Sequence, residues 1–147
     1  MFKQKIFIAS FIVLILVAVL NYLGSIFNLY WVYRWYDIPM HMLGGLWVAL
    51  FSLSIFAYFC KNISIVNYRK KVFGIVFIIL LFITISWEVF ELLGGITFLE
   101  DRGYWVDSSA DILNAYLGGT VACFLFIKKR KCGNNLVNEG FNNNQIK

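Results

Sequence analysis

The chain has 147 residues, of which 61% are hydrophobic and 14% are charged, and its mean hydropathy is +0.74. A water-soluble domain of this composition would lack the polar surface to cover its core, so the composition indicates a membrane protein. The net charge of +5 does not indicate nucleic-acid binding, because the basic residues lie between apolar segments and form no single basic face. Cys60, Cys123 and Cys132 have no CxxC spacing and are expected to be free thiols.

Four apolar segments approach or exceed the roughly 20 residues that a membrane-spanning helix needs, at about residues 5–27, 40–60, 72–93 and 108–127. The first follows a basic start, but its apolar core is long for a signal peptide and no small-residue cleavage site follows it, so we expect a retained helix. The sequence therefore predicts an all-α polytopic membrane protein, with residues 1–127 forming a compact bundle of four transmembrane helices. Residues 128–147 form a basic, Asn-rich tail that is expected to be disordered.

The distribution of basic residues predicts the orientation of the bundle. One side carries eleven of the Lys and Arg residues, and the other side carries Arg34 and Arg102. By the positive-inside rule, both termini and the tail are cytoplasmic, in a cell membrane that we take to be a bacterial inner membrane. The segment "NLYWVYRWY", residues 28–36, lies on the outer side and is typical of an aromatic belt along the lipid headgroups.

The acidic residues gather toward the outer side, and helical spacing groups them into stripes. The second, third and fourth helices each carry one polar stripe: His41, Gly45, Val48 and Ser52; Thr84, Glu88 and Glu91; and Asp107, Asp111, Asn114 and Gly118. An ionisable side chain that faces hydrocarbon costs several kcal/mol, so the stripes should face one another. We expect a polar pocket that opens outward between these three helices, with the first helix as apolar support.

The chemistry of this pocket is left open by the residues alone. Its excess of negative charge must be balanced by protons, water or a bound cation. A divalent metal ion is one candidate cofactor, and its candidate ligands are His41, Glu88, Glu91 and Asp111. The same four residues are the candidate catalytic groups. The candidate binding residues are Asp37, Arg102, Asp107 and Asn114. Hydrogen bonding between helices without any ligand is the alternative. Ser108 and Ser109 are interpreted as capping residues of the fourth helix, so a serine nucleophile is disfavoured.

Three motifs resemble those of YjdF-like bacterial inner-membrane proteins and, more distantly, of VanZ-like proteins. They are Asp37-x-x-x-His41-x-x-Gly44-Gly45, Trp87-Glu88-x-x-Glu91 and Asp107-x-x-x-Asp111-x-x-Asn114-x-x-x-Gly118. The resemblance covers about residues 36–119 and implies that the acids, His41 and Asn114 act together as pocket residues. This chain is shorter than YjdF-like chains usually are, and its interval from Asp111 to Asn114 is one residue shorter than VanZ-like proteins commonly have.

Three functions are consistent with these features. The first is binding of an envelope lipid headgroup or a cell-wall precursor through the acids, Arg34 and Arg102. The second is a membrane-embedded enzyme that acts on such a headgroup through metal or acid/base chemistry, so enzymatic activity is left undecided. The third is a component of a transporter, which would require an oligomer and is the weakest, because no ionisable residue is expected in the inner half of any helix. The lipid bilayer is the partner common to all three.

Overall fold

The computed structural model describes the backbone of residues 2–59, 65–94 and 103–143, with side chains through Ile127 except at residues 2, 3, 34 and 65–69. Within these ranges it contains helices and no strand, so the predicted all-α class is confirmed. The helices are α1 (Phe2–Ile26), the short α2 (Leu29–Val32), α3 (Asp37–Phe59), α4 (Ile65–Leu93) and α5 (Tyr104–Asn143), with a 3-10 turn at Arg34–Tyr36 between α2 and α3.

Four of these helices are long and apolar enough to span a membrane, as the sequence predicts. The spans are Gln4–Ile26, Asp37–Phe59, Lys70–Leu93 and Tyr104–Ile127. All four helices begin earlier than the predicted segments, and two of the earlier starts, α3 at Asp37 and α5 at Tyr104, lie next to the polar residues. Pro39 lies in the first turn of α3, where a residue without an N–H loses no helix hydrogen bond. The Asp37 carboxylate in the same turn interacts favourably with the positive end of the helix dipole. Before α5, Gly103 has φ +110° and its carbonyl accepts from the N–H groups of Val106 and Asp107.

The helix α3 lies at the centre of the bundle. It makes its most extensive contact with α5 and the next with α1, while α4 packs against both α5 and α3. Tyr116 shows how α4 and α5 meet, because its ring stacks on Phe77 and its hydroxyl donates to the Phe77 carbonyl at 3.0 Å. Since α1 joins the bundle chiefly through α3, its predicted role as apolar support fits the packing.

We call the end of the bundle where α1 and α4 end and α3 and α5 begin the site end. Away from it, the core is mainly apolar: Leu53, Ala57, Val72, Val76 and Leu80 are almost fully buried, and Cys123 and Phe126 join them. The buried Ser10 and Ser54 donate their hydroxyls to carbonyls of their own helices. Most large apolar side chains on the outside of the spans are exposed, as expected of surfaces that face lipid tails.

Glycines let α3 and α5 touch at the backbone near the site end. A Cβ placed on Gly45 would overlap the carbonyl of Ala115, and one placed on Gly118 would overlap the carbonyl of Met42. Gly44, one residue away, faces open space, so the contact selects one side of α3. Small residues at such crossings allow close packing of helices in membranes.

The connection from α1 to α3 folds back along the end of α1. The hydroxyl of Tyr30 donates to the Asn21 amide oxygen at 2.8 Å, and the hydroxyl of Tyr36 donates to the Leu20 carbonyl at 2.8 Å. Their rings meet edge to face with centroids 5.1 Å apart. Trp31, Tyr33 and Trp35 stay exposed, which fits the predicted aromatic belt at the headgroups.

The backbone of α5 continues past its membrane span to Asn143, although the sequence predicts a disordered tail from residue 128. Helix hydrogen bonds are local, so a helix can run beyond its packed part without a tertiary partner. Disorder of this tail in solution stays a prediction.

Candidate functional site

Three ionisable side chains meet at the site end, between α3 and α5. The Nε2 atom of His41 lies 3.4 Å from Oδ1 of Asp37 and 3.7 Å from Oδ1 of Asp111. One potential ligand atom from each of the three lies within 4.8 Å of the other two. We call Asp37, His41 and Asp111 the triad.

Local helical geometry builds the triad from two helices. Asp37 and His41 are four residues apart on α3, so their side chains lie on one face, one turn above the other. Asp111 stands one turn before Ala115, and His41 stands one turn before Gly45. Because the Gly45 and Ala115 backbones touch, the side chains of His41 and Asp111, one turn nearer the site end, come within reach of each other.

Exposure falls from Asp37 toward Asp111. The side chain of Asp37 is 34% exposed, whereas those of His41 and Asp111 are 11% and 10% exposed. The triad therefore has one partly open carboxylate and two nearly enclosed groups. A ligand can reach it from the Asp37 side, at the membrane boundary.

A second polar contact joins α5 to α4 beside the triad. The hydroxyl of Ser108 donates to Oε2 of Glu88 at 2.6 Å, and Glu88 is buried. The interpretation of Ser108 and Ser109 as capping residues is wrong, because α5 begins at Tyr104 and Ser109 donates to the Trp105 carbonyl within the helix. The spacing of Ser108 from Asp111, three residues on one helical face, was the signal that could have placed Ser108 in the pocket.

Glu91 lies near the triad but outside it. Its Oε1 accepts a hydrogen bond from the indole N–H of Trp87 at 2.8 Å, within α4. Glu91 still interacts electrostatically with His41 and with Asp37. Glu88 interacts in the same way with Asp111, so both glutamates add to the negative field around the triad.

The remaining predicted site residues lie at different distances from this centre. Asp107 is exposed, one turn before Asp111, and Asn114 is half-buried on the same helix. Arg102 lies outside the described residues. Within the described part of the chain, the potential metal-ligand group contains His41 and Asp111 of the predicted ligand set, with Asp37 as the third member in place of the glutamates.

Tyr30 borders the site on its exposed side. Partial burial, followed by the negative charge of Asp37 and the nearby Tyr36 and Glu91, raises the pKa of Tyr30 to about 12. The phenol therefore keeps its proton at neutral pH and serves as a hydrogen-bond donor to Asn21.

The donor set of the triad suits a divalent ion. One imidazole nitrogen with two carboxylate oxygens is a combination that Zn²⁺, Mn²⁺ and Fe²⁺ accept, and three protein ligands leave further positions open. Without a cation, the triad and the neighbouring glutamates crowd four carboxyl groups around one imidazole.

A family model described as a predicted membrane protein, DUF2238, matches residues 3–131, which include all four spans. Comparison with curated proteins and with solved structures found no match.

Proposed function

The chain belongs to the DUF2238 family of predicted membrane proteins, and we propose that it binds a divalent metal ion through Asp37, His41 and Asp111 at the membrane boundary. The ion in turn holds the phosphate of an envelope lipid headgroup or of a lipid-linked cell-wall precursor. The observation that carries the proposal is the convergence of three ligand atoms within 4.8 Å, from two helices whose backbones touch.

Charge balance supports a cation at this position. Asp37 and Asp111 flank a single imidazole, while Glu88 and Glu91 add further negative field. Burying such a group of carboxylates is unfavourable unless protons or a cation offset their charge. A divalent ion offsets two negative charges and keeps His41 neutral as a nitrogen ligand.

The location in the cell is part of the proposal. The proposal has both termini in the cytoplasm and the triad at the outer face of a cell membrane, and the excess of basic residues on one side supports this orientation. The resemblance to YjdF-like and VanZ-like proteins agrees with an inner-membrane site of action. An outward-facing metal site would meet lipid headgroups and precursors that have reached the outer leaflet.

Metal analysis of the purified protein tests the metal site directly. We expect one equivalent of a transition metal in the native protein after dialysis against Mn²⁺ or Zn²⁺, and loss of that equivalent in His41→Ala and in Asp111→Asn. Asp107→Asn is the matched control, because it removes a carboxylate one turn away on α5 that is exposed. Equal metal content in Asp111→Asn and the native protein would reject the site, as would a native protein that binds no metal.

The phosphate part is tested with a short-chain phosphatidylglycerol and Mn²⁺-loaded protein. A bound phosphate next to Mn²⁺ would broaden the phosphorus NMR signal of this lipid, and Asp111→Asn would abolish the broadening. Broadening that is the same in Asp111→Asn and in the native protein would leave free Mn²⁺ as its source and would reject phosphate binding at the triad.

A second candidate function is hydrolysis or transfer of the headgroup. It is favoured by the 2.6 Å hydrogen bond from Ser108 to buried Glu88, which places a hydroxyl beside a carboxylate able to accept its proton. Release of a water-soluble headgroup from phospholipid vesicles would reveal such an activity. Ser108→Ala should abolish the release and Ser109→Ala should retain it, whereas equal release by both variants would exclude Ser108.

A further inference from the structure

A cleft opens between α3 and α4, within the membrane span. It has a volume of about 330 Å³ and is lined by Trp47, Val48, Phe51, Ser52, Ile55, Ile79 and Ile83. Trp47 and Phe51 stack with their ring centroids 6.1 Å apart and form a flat aromatic wall. No part of the proposed metal site lies among the lining residues.

The lining of the cleft is suited to hydrocarbon. Six of its seven residues are apolar, and the seventh, Ser52, donates its hydroxyl to the Val48 carbonyl at 2.8 Å. The indole N–H of Trp47 is therefore the one side-chain donor that the described lining leaves for an occupant. A polar ligand would lose its hydration there and gain at most this one hydrogen bond from the side chains.

The cleft lies directly below the triad on α3. Val48 and Ser52 are seven and eleven residues after His41, so all three fall on one helical face. At about 1.5 Å per residue, Val48 is roughly 10 Å deeper than His41. On α4, Ile79 and Ile83 share a face with Trp87, whose indole holds Glu91 beside the triad. The residues that line the two sides of the cleft therefore lie on helix faces that continue toward His41 on α3 and toward Glu91 on α4.

The depth of the cleft in the membrane span favours hydrocarbon as its occupant. An acyl chain is thin and flexible enough to enter a cleft of about 330 Å³. Water is excluded from this depth of the membrane, and the lining is almost wholly apolar, so a lipid chain is the occupant that this cleft suits.

We infer that the ligand of the site is a phospholipid-like molecule with an acyl chain in the α3–α4 cleft and its phosphate at the triad. This inference rests on the proposed function and narrows it, because a soluble phosphate compound or a soluble precursor fragment would leave the cleft unused. The triad would bind the phosphate and the cleft, about 10 Å deeper, would bind the acyl chain. A lipid that carries both groups would therefore bind more tightly than a molecule that carries one of them.

Photo-crosslinking tests this arrangement in phosphatidylcholine vesicles. The probe is a phosphatidylglycerol with a diazirine group on one acyl chain, and the labelled residues are identified by mass spectrometry. We expect labels concentrated on Phe51, Ile55, Ile79 and Ile83 over Phe82 and Phe124, which are more exposed to lipid than any of these four. Uniform labelling of all exposed apolar positions would overturn the inference, because bulk lipid alone produces it.

Variants that fill the cleft separate this inference from the metal site. Ile83→Trp should lower labelling of Phe51 by about tenfold, while its neighbour Phe82→Trp, on the lipid-facing surface, leaves labelling unchanged. Should Ile83→Trp fail to fold, Ser52→Phe fills the cleft from α3. Metal content should stay native in all three variants. Unaltered labelling in a folded cleft-filling variant rejects the acyl-chain site even where metal binding is intact.

A diazirine-labelled diacylglycerol, which lacks phosphate, shows whether the lipid binds through both its phosphate and its acyl chain or through the acyl chain alone. We expect phosphatidylglycerol to label the cleft more strongly, and EDTA or Asp111→Asn to remove that preference. Equal labelling by the two probes would overturn the link between cleft and triad. Absence of metal in the native protein, with selective cleft labelling retained, would reject the proposed function while keeping the acyl-chain site.

Discussion

The two halves of the bundle are held together in different ways. Toward the site end, α3 and α5 meet backbone to backbone at Gly45 and Gly118, and ionisable side chains lie just above. In the other half, the helices pack through interlocking apolar side chains such as Leu53 on α3 and Val76 and Leu80 on α4. The backbone contact in the first half sets the distance between α3 and α5, whereas the apolar side chains in the second half fill the space between the helices.

The two halves therefore have different roles: one positions the side chains of the candidate site, and the other stabilises the bundle. A backbone contact leaves no freedom for rotamers to adjust, so the spacing of His41 and Asp111 is set by the main chain. A contact between side chains can adjust when one residue changes. The half that carries the candidate site should therefore tolerate less volume change than the half that carries the core.

Adding a methyl group at the backbone contact should have the largest effect. Gly45→Ala places a Cβ on the Ala115 carbonyl, so α3 and α5 must separate, and we expect a loss of about 3 kcal/mol or more in the free energy of unfolding. Gly44→Ala meets open space and should be neutral or slightly stabilising, because alanine favours helices. Unfolding in detergent mixtures, followed by circular dichroism, measures both. Equal stability of the two variants would contradict the asymmetry of the halves.

Removing side-chain volume from the apolar half should have a smaller effect. Leu53 is fully buried, and Leu53→Ala should cost about 2 kcal/mol. The low end of the range for soluble proteins applies because lipid is as apolar as leucine, which leaves chiefly the cavity cost. Leu81→Ala, at a lipid-facing position, is the control, and the same unfolding assay should show almost no change. A Leu53→Ala loss larger than that of Gly45→Ala would reverse the comparison.

Removing one hydrogen bond beside the triad should cost less again. Ser108→Ala takes the donor away from buried Glu88, and we expect a loss of about 1–2 kcal/mol. Ser109→Ala loses only a bond to its own helix at an exposed position and should stay within about 0.5 kcal/mol of the native protein. A double-mutant cycle with Glu88→Leu, which removes the acceptor, isolates the pair, and a coupling energy of zero would show that the contact does not contribute.

At neutral pH the smallest effect should concern Tyr30 at the edge of the site, because its phenol is then protonated in both the folded and the unfolded chain. Its pKa of about 12 lies above the ordinary value of 10.0, so the folded protein holds this proton more tightly than the unfolded chain does. The resulting stability is present below pH 10 and is lost as the pH rises toward 12. The ultraviolet difference between native protein and Tyr30→Phe should show phenolate forming near pH 12. Formation near pH 10 would mean that neither burial nor the charges of Asp37 and Glu91 raise the pKa of Tyr30.

Much of the fold follows from patterns that the lipid environment imposes. Four apolar segments of sufficient length become four spanning helices, because the bilayer sets the length and leaves the backbone no other partner. The starts of α3 and α5 were harder to predict. Asp37 and Tyr104 belong to polar or aromatic boundary segments, where capping and the turn at Gly103 decide the first residue.

The candidate site was partly predictable for a related reason. Helical spacing placed His41 and Asp111 on inward stripes, and the cost of facing lipid implied that the stripes meet. Spacing alone could not say that α3 approaches α5 so closely, which brings Asp37 into the triad and leaves Glu91 beside it. That outcome depends on which glycine contacts which backbone, a property of two helices together.

The contact of Gly45 with Ala115 also has a consequence for assembly in the membrane. α3 and α5 are separated in the chain by α4, so α3 enters the bilayer well before its main partner is synthesised. During that interval Asp37 and His41 have no Asp111 and no matching backbone surface. Insertion of α5 then completes the helix pair and the triad in one step, so the ligand atoms of the proposed metal site come together only when α3 and α5 have docked.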